Sequence, residues 1–355
     1  MKNPFLSVLK AQRFSRRGGP LSAALALQQM LLPASKPKRK RAAAKPRPVG
    51  GARSPGAGAP GRPARPAPGT FIAGRYQSDH GTIAYKLYTP SGSAHRRMPL
   101  VVMLHGCTQS AADFAAGTGM NALADELGFL VLYPEQSASK NLNRCWNWHQ
   151  PRNQKRGGGE PAAIAALTLH AIAACRANPR RVYIAGISAG GTTAAITGAA
   201  YPEIYAAVGV HSGVASGNVS TLSGALSAMR NGGIGSPTAK TARPRPTIIF
   251  HGDRDKVVHP DNARGFRGVV APSKAGPLVG QVRQGTSAGG REFTRTLYRT
   301  SAGEVLFEDW TLHGGGHAWS GGKPAGSYTD PAGPDASREM IRFFLARRRA
   351  IGRGG

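Results

Sequence analysis

Residues 181–200 read RVYIAGISAGGTTAAITGAA, and this stretch decides the fold. Arg181 to Ile187 is a short apolar run of the kind that forms a strand. A helix is expected from about Ala189 to Ala200. Between them stands Gly186-Ile187-Ser188-Ala189-Gly190, a G-x-S-x-G pentapeptide in the strand–turn–helix context that gives it meaning. So sharp a turn would expose the Ser188 hydroxyl above the sheet, with glycines beside it because side chains would clash there. The helix starting at Ala189 points its N-terminal dipole at any anion developing near that hydroxyl. The alternative is a Gly-rich turn with an idle serine; a strand and a helix on either side favour a nucleophile.

Outward from this turn the pattern repeats. Thr82 to Tyr88 alternates and reads as an antiparallel strand, and Pro99 to Leu104 as a buried one ending at His105-Gly106. Ala111 to Leu127 is expected as a helix and Phe129 to Tyr133 as a strand. Pro161 to Ala177 is a long Ala-rich helix with Glu160 near its start, where the dipole favours a carboxylate. Tyr205 to Val210, Thr247 to Phe250, Phe293 to Tyr298 and Val305 to Leu312 are further strands, and Asp335 to Arg348 is a closing helix. Strands alternating with helices imply a three-layer α/β/α sandwich around a mainly parallel sheet. An antiparallel first strand makes that sheet mixed.

A serine nucleophile needs a base and an orienting carboxylate. Where this elbow occurs, the order along the chain is serine, acid, histidine. After the strand Thr247 to Phe250 comes His251-Gly252-Asp253-Arg254-Asp255-Lys256-Val257-Val258. Asp253 and Asp255 compete for the acid. Asp255, just before Val257-Val258, is preferred, and Asp253 then reads as a turn residue bonded to its own backbone. His317, in the glycine-rich loop after Val305 to Leu312, is the preferred base. His313 is its rival but falls closer to the strand. His170, in the Ala-rich helix, and His95, in a basic loop, read as structural or exposed. The oxyanion would be held by two backbone N–H groups, that of Ala189 and that of Cys107 in the loop His105-Gly106-Cys107-Thr108-Gln109.

The chain has 355 residues, 47 Lys plus Arg against 17 Asp plus Glu, and a net charge of +30. Three cysteines in a chain this long exclude a disulfide-scaffolded mini-protein. The longest apolar runs fall short of a membrane-spanning helix, which excludes a polytopic membrane protein. The excess charge points to a polyanion partner, but its placement weakens that inference. Residues 1–70 hold 15 basic and no acidic residues, so half of the excess lies in a fifth of the chain. Residues 33–69 are rich in Pro, Ala, Gly and basic residues and are expected to be a disordered linker. Its KPKRKR run, Lys36 to Arg41, reads first as a solvated linker and second as a contact for nucleic acid or an anionic granule surface. Residues 1–32 carry Phe5, Leu6, Val8 and Leu9, a basic patch at Arg13, Arg16 and Arg17, and an apolar stretch from Leu21 to Leu32. Two short docking helices or an export signal both fit this segment. Residues 70–350 are left as the catalytic domain. Their histidines and carboxylates show no HExxH or close Cys-His spacing, so no metal is expected.

HGCTQSAADF, YPEQ, CWNWH, GISAGG, HGDRD and GGGHAWSGG, in this order, resemble the poly(3-hydroxybutyrate) depolymerase family of esterases. That family is related to feruloyl and acetylxylan esterases of the α/β-hydrolase superfamily. The resemblance implies cofactor-free hydrolysis of short hydroxyacid esters, with Ser188 as nucleophile, Asp255 as acid and His317 as base. It implies an extracellular or periplasmic location, for which the start of this chain is a weak signal; a cytoplasmic, granule-associated site is the alternative. No polymer-binding domain is expected after the closing helix, so soluble oligomers or small esters are expected rather than crystalline polymer. Trp146 and Trp148 fit the family's pattern and are expected either to line the substrate cleft, with His105 and Trp319, or to be core aromatics under a loop. Cys107 and Cys145 are expected to pair as a disulfide and Cys175 to be free and buried. The competing readings are a feruloyl- or acetylxylan-type esterase on the same residues, and a non-catalytic polyanion- or granule-binding protein.

Overall fold

Leu100–Leu104, Val182–Ile187 and Ala207–His211 carry almost no polar side chains, and a strand so composed is stable only when both its faces are covered. The computed structural model, which describes residues 69–92, 97–215, 219–232, 245–270 and 278–349, buries all three completely. The segments expected at 1–32 and 33–69 lie outside the described residues except for Gly69, as does His95. The chain divides after Ala67, and the description that follows concerns the unit from Pro68 onward.

In chain order the elements are β1 (Thr70–Ser78), β2 (Gly81–Thr89), β3 (Leu100–Leu104), α1 (Ala111–Thr118), α2 (Met120–Leu127), β4 (Leu130–Glu135), α3 (Gly159–Ala174), β5 (Val182–Ile187), α4 (Ala189–Ala200), β6 (Ala207–His211), α5 (Leu222–Asn231), β7 (Thr247–Gly252), α6 (Asp261–Val270), β8 (Val279–Thr286), β9 (Glu292–Arg299), β10 (Val305–Leu312), β11 (Trp319–Ser320), β12 (Thr329–Asp330) and α7 (Ala336–Leu345). The main sheet runs β1-β2-β4-β3-β5-β6-β7-β10-β9-β8. From β4 to β10 every neighbouring pair is parallel. An antiparallel pair closes each edge, β1 with β2 and β8 with β9. The chain moves one way from β3 to β4 and then returns to the other side of β3 for β5. The strand order therefore reverses between β3 and β5, and the crevice at the carboxyl ends of strands at such a reversal is where open α/β sheets place their ligands. The loop after β3 and the turn after β5 both open there.

The helical layers pack by specific accommodation. Gly209 in β6 leaves room for α7: a Cβ there would lie 2.8 Å from Met340 Sδ and 3.0 Å from the Phe344 ring. Met340, Ile341, Phe343 and Phe344 are fully buried, each worth about 1.5–3 kcal/mol in apolar burial. Tyr183 stacks on Phe344 with centroids 5.0 Å apart.

The structure differs from the sequence reading in several elements. The helix expected from Ala111 to Leu127 is two, broken at Gly119, whose φ of 63° ends α1 in a left-handed cap. β1, β8, α5 and α6 were not expected. β1 and β8 are edge strands with largely exposed side chains, so they lack the apolar pattern that marks a buried strand.

Candidate active site

Ser188 is the single residue between β5 and α4. Its φ of 56° and ψ of −126° lie outside the ordinary regions for a residue with a side chain, a strain of order 1–3 kcal/mol that its surroundings must impose. They do so through two bonds and two close approaches. The Ser188 N–H donates to the His211 carbonyl at 2.9 Å, and its carbonyl accepts from Thr192 N–H at 3.0 Å. A Cβ on Gly186 would come within 2.5 Å of the Gly190 backbone, and one on Gly190 within 2.2 Å of the Leu104 carbonyl. The flanking glycines thus let α4 start directly against the end of β3. Ala189 is the first helical residue, so its N–H has no acceptor within its own helix.

Asp255 follows β7 and His317 follows β10, its parallel neighbour. Asp255 Oδ2 accepts from His317 Nδ1 at 2.7 Å, and both side chains are nearly removed from solvent. Asp255 Oδ1 accepts the N–H groups of Val257 and Val258, each at 2.9 Å. Burial pushes the Asp255 carboxyl up, but hydrogen bonds and charge from His251 and His317 outweigh it and hold the group well below the usual carboxylate range. With Nδ1–H committed to Asp255, His317 keeps Nε2 as the free acceptor. Asp253 is more than the self-bonded turn residue expected. It accepts from His313 Nδ1 at 3.0 Å and from Gly314 N–H at 2.7 Å, forming a second His–Asp pair that is more than a third exposed.

His211, which the sequence did not single out, joins the two halves of this arrangement. Its carbonyl holds the Ser188 N–H, and its ring Nε2 accepts the Ser320 N–H at 3.0 Å, three residues beyond His317. The ring is sandwiched between Trp319 and Phe250, with centroids at 5.1 and 5.9 Å. Burial drives its pKa down to about 3, so it is a neutral acceptor at neutral pH.

The loop after β3 is fixed peptide by peptide. The His105 carbonyl accepts from Trp146 Nε1 at 3.0 Å. The Gly106 N–H donates to Gln109 Oε1 at 2.9 Å. Gln136 N–H donates to His105 Nε2, so the proton sits on Nδ1 and is given to the Gly106 carbonyl at 2.7 Å. That carbonyl shares its peptide plane with the Cys107 N–H, so His105 sets the direction in which Cys107 donates. The Thr108 N–H is taken by the Asn143 carbonyl at 2.6 Å. Cys107 is bonded to Cys145, which ties this loop to residues 141–148. Glu160, read from sequence only as a helix-dipole partner, holds the far side of that tie. Its carboxylate accepts from Asn147 N–H, Asn147 Nδ2 and Gln136 Nε2, and burial raises its pKa.

His105 and Trp319, expected in a substrate cleft, and Trp146 and Trp148, expected either there or as core aromatics, are all interior. His105 is 0% exposed, Trp319 1%, Trp146 2% and Trp148 5%. The indole N–H groups of Trp146 and Trp319 go to His105 O and Ser337 Oγ, and Trp319 packs edge-on against Phe114. The indole N–H groups of Trp146 and Trp319 are thus committed to protein partners. Cys175 is free but only partly buried. His170 is exposed and stacks on Tyr76. Among the described residues no group of three or more His, Cys, Asp or Glu side chains is arranged to hold a metal ion, and no helix is long and apolar enough to cross a membrane.

The family model described as Esterase PHB depolymerase matches residues 83–270. Poly(3-hydroxyalkanoate) depolymerase C of Paucimonas lemoignei is 30% identical over 260 residues, which cover 68% of this chain and 60% of that one. Acetylxylan esterase A of Talaromyces purpureogenus is 30% identical over 209 residues, 54% of this chain and 53% of that one. Feruloyl esterase B of Neurospora crassa is 36% identical over 117 residues, 33% of this chain and 39% of that one. The chain thus spans about half the length of the curated relatives it matches. Among solved structures, an acetyl xylan esterase from Aspergillus awamori superposes with a TM-score of 0.60 at 19% identity, covering 77% of this chain and 99% of that one. That likeness shows the α/β-hydrolase fold.

Proposed function

The chain belongs to the esterase PHB depolymerase family, and from that premise we propose that it is a serine esterase acting on short hydroxyacid esters of the 3-hydroxybutyrate type, as oligomers or small esters. The observation that carries this reading is the buried His317–Asp255 hydrogen bond, whose histidine loop is tied through His211 to the strained turn that carries Ser188. His317 Nε2 takes the Ser188 proton as Oγ adds to the ester carbonyl. The oxyanion formed is held by the N–H groups of Cys107 and Ala189, a contribution of about 2.7–4 kcal/mol for a single donor in a measured case. The tetrahedral adduct collapses, the alkoxide leaves with the proton from His317, and the acyl group stays on Ser188. A water then gives its proton to His317 and its oxygen to the acyl carbon. Collapse of this second adduct returns the proton to Ser188 and releases the acid.

The first experiment is Ser188→Ala with a panel of hydroxybutyrate oligomers and nitrophenyl, feruloyl and acetyl-sugar esters. Loss of hydrolysis by about 10⁴-fold or more supports the mechanism; wild-type rates in the variant would refute it. A second reading, a carbohydrate-linked esterase, draws on the feruloyl and acetylxylan esterases among the relatives. Preference for feruloyl or acetyl-sugar esters over hydroxybutyrate dimers in the same panel would select it. For the basic run Lys36 to Arg41 we propose at most weak, salt-sensitive contact with a polyanion or granule surface, tested by cosedimentation with anionic granules at 50 and 200 mM salt.

A further inference from the structure

Six residues other than glycine have positive φ among the described residues: Thr108, Arg144, Arg176, Ser188, Ser212 and Tyr328. For a β-branched threonine and a bulky tyrosine this is a true outlier, and such strain persists only where the surroundings enforce it. Thr108, at 66°, directly follows Cys107. Tyr328, at 51°, lies in the loop that follows His317. Their hydroxyl oxygens meet at 3.1 Å across 220 residues of sequence. Thr108 Oγ1 also donates to the Cys107 carbonyl at 2.6 Å. A threonine hydroxyl has one hydrogen, so the Tyr328 O–H is the donor of the pair.

The backbone of Tyr328 belongs to the histidine loop. Its carbonyl accepts the Trp319 N–H at 2.7 Å, and Thr329 is paired with Trp319, two residues from His317. The residues beside it are pinned to the oxyanion side. Ser327 N–H and Oγ donate to the Asp113 carboxylate, and Gln109, which holds the Gly106 N–H, donates Nε2 to the Ser327 carbonyl at 3.2 Å. Gly326 sits so close to Gly117 that a Cβ on it would lie 2.4 Å away.

We propose that Tyr328 is a positioning residue that, through the Thr108 hydroxyl on the Cys107 carbonyl, couples the loop carrying His317 to Cys107, whose N–H lies in the preceding peptide. The proposal rests on the serine-esterase reading above. Without the Tyr328 hydroxyl, Thr108 loses one of the bonds that keep it at positive φ. Its relaxation frees the peptide between Cys107 and Thr108, and this shifts Cys107 and the N–H it offers to the oxyanion. The effect falls on the transition state, where the Cys107 donor is used, and spares ground-state binding.

The test uses purified full-length protein and a short nitrophenyl ester. Tyr328→Phe and Thr108→Val are each expected to lower kcat about 10- to 100-fold, below the ~10²–10³-fold of removing an oxyanion donor itself. KM should stay within about twofold, and affinity for a trifluoromethyl ketone, whose Ser188 adduct carries the oxyanion, should fall in step with kcat. The double variant should be no worse than the weaker single one, since both cut one connection. Thr108→Ser restores the hydroxyl and should recover the rate, which guards against a folding defect. Unchanged kcat in Tyr328→Phe, or losses that add in the double variant, would overturn the coupling. If the wild-type enzyme shows no Ser188-dependent hydrolysis, the esterase reading fails instead, and the two failures are read from different proteins.

Discussion

Asp255 Oδ2 accepts a hydrogen bond from His317 Nδ1 at 2.7 Å across 62 residues of sequence, and a parallel pair, Asp253 with His313, lies beside it at 3.0 Å. The two pairs connect the same two loops. They differ in burial: the first is almost fully enclosed and its carboxylate takes two further backbone N–H groups, whereas the second faces solvent. A charge-assisted bond counts for more where water does not compete. The enclosed pair therefore holds its imidazole more firmly than the exposed one, which suits the orienting role proposed for Asp255.

Asp255→Asn and Asp253→Asn should separate these roles. In the first, the amide no longer holds the Nδ1 tautomer of His317, and kcat is expected to fall about 10⁴-fold. In the second, the outer bond weakens at an exposed site and kcat should change less than about tenfold. Steady-state kinetics on one nitrophenyl ester decides it; equal losses would dissolve the distinction.

His211 should make the fold sensitive to acid. Burial holds its pKa at about 3, against about 6.5 in an unfolded chain. Between these values the unfolded state binds a proton that the folded state refuses. The stability it contributes is therefore complete above about pH 6.5 and declines as pH falls toward 3, by about 1.4 kcal/mol per unit. Urea denaturation at pH 7 and pH 4.5 should show the wild type losing about 2–3 kcal/mol more than His211→Gln. Identical pH slopes in the two proteins would contradict this.

Reduction of the Cys107–Cys145 bond should cost both stability and rate. The bond closes a 38-residue separation, for which chain entropy gives about 2–4 kcal/mol. It also anchors the Cys107 peptide to the 141–148 loop. Thermal melts and kinetics with and without dithiothreitol should show a lower Tm and a lower kcat. Full activity in protein whose two thiols are both alkylated would remove the second part.

Two glycine changes, one at the end of β7 and one in the histidine loop, should differ sharply in cost. A Cβ on Gly252 would lie 2.2 Å from the Gly315 carbonyl oxygen, so Gly252→Ala pushes the histidine loop off the end of β7. It should cost about 1–3 kcal/mol or more and most of the activity. A Cβ on Gly316 meets nothing within 4 Å, so Gly316→Ala should stay within about 1 kcal/mol of wild type. Paired melts and rates of the two variants check the contrast.

Much of this molecule was legible as local pattern. Continuous apolar runs marked β3, β5 and β7 because a strand covered on both faces needs no alternation. The edges were less legible: β1 and β8 expose most of their side chains and owe their place to backbone pairing, which any residues can make. The sequence leaves open whether Trp146 and Trp148 are cleft or core residues, because an indole at the active face looks the same in sequence whether its N–H meets a ligand or a neighbouring carbonyl.

The sequence by itself determined the turn at Ser188, since Gly186 and Gly190 between a strand and a helix leave few other conformations, and it determined the order of serine, aspartate and histidine along the chain. Only the tertiary structure decided which aspartate meets which histidine, that His211 ties Ser188 to the histidine loop, and that Tyr328 reaches Thr108. Those are contacts between residues tens to hundreds of positions apart. They exist only when the sheet sets its strands side by side, and no local preference encodes the distance between two loops at its edge.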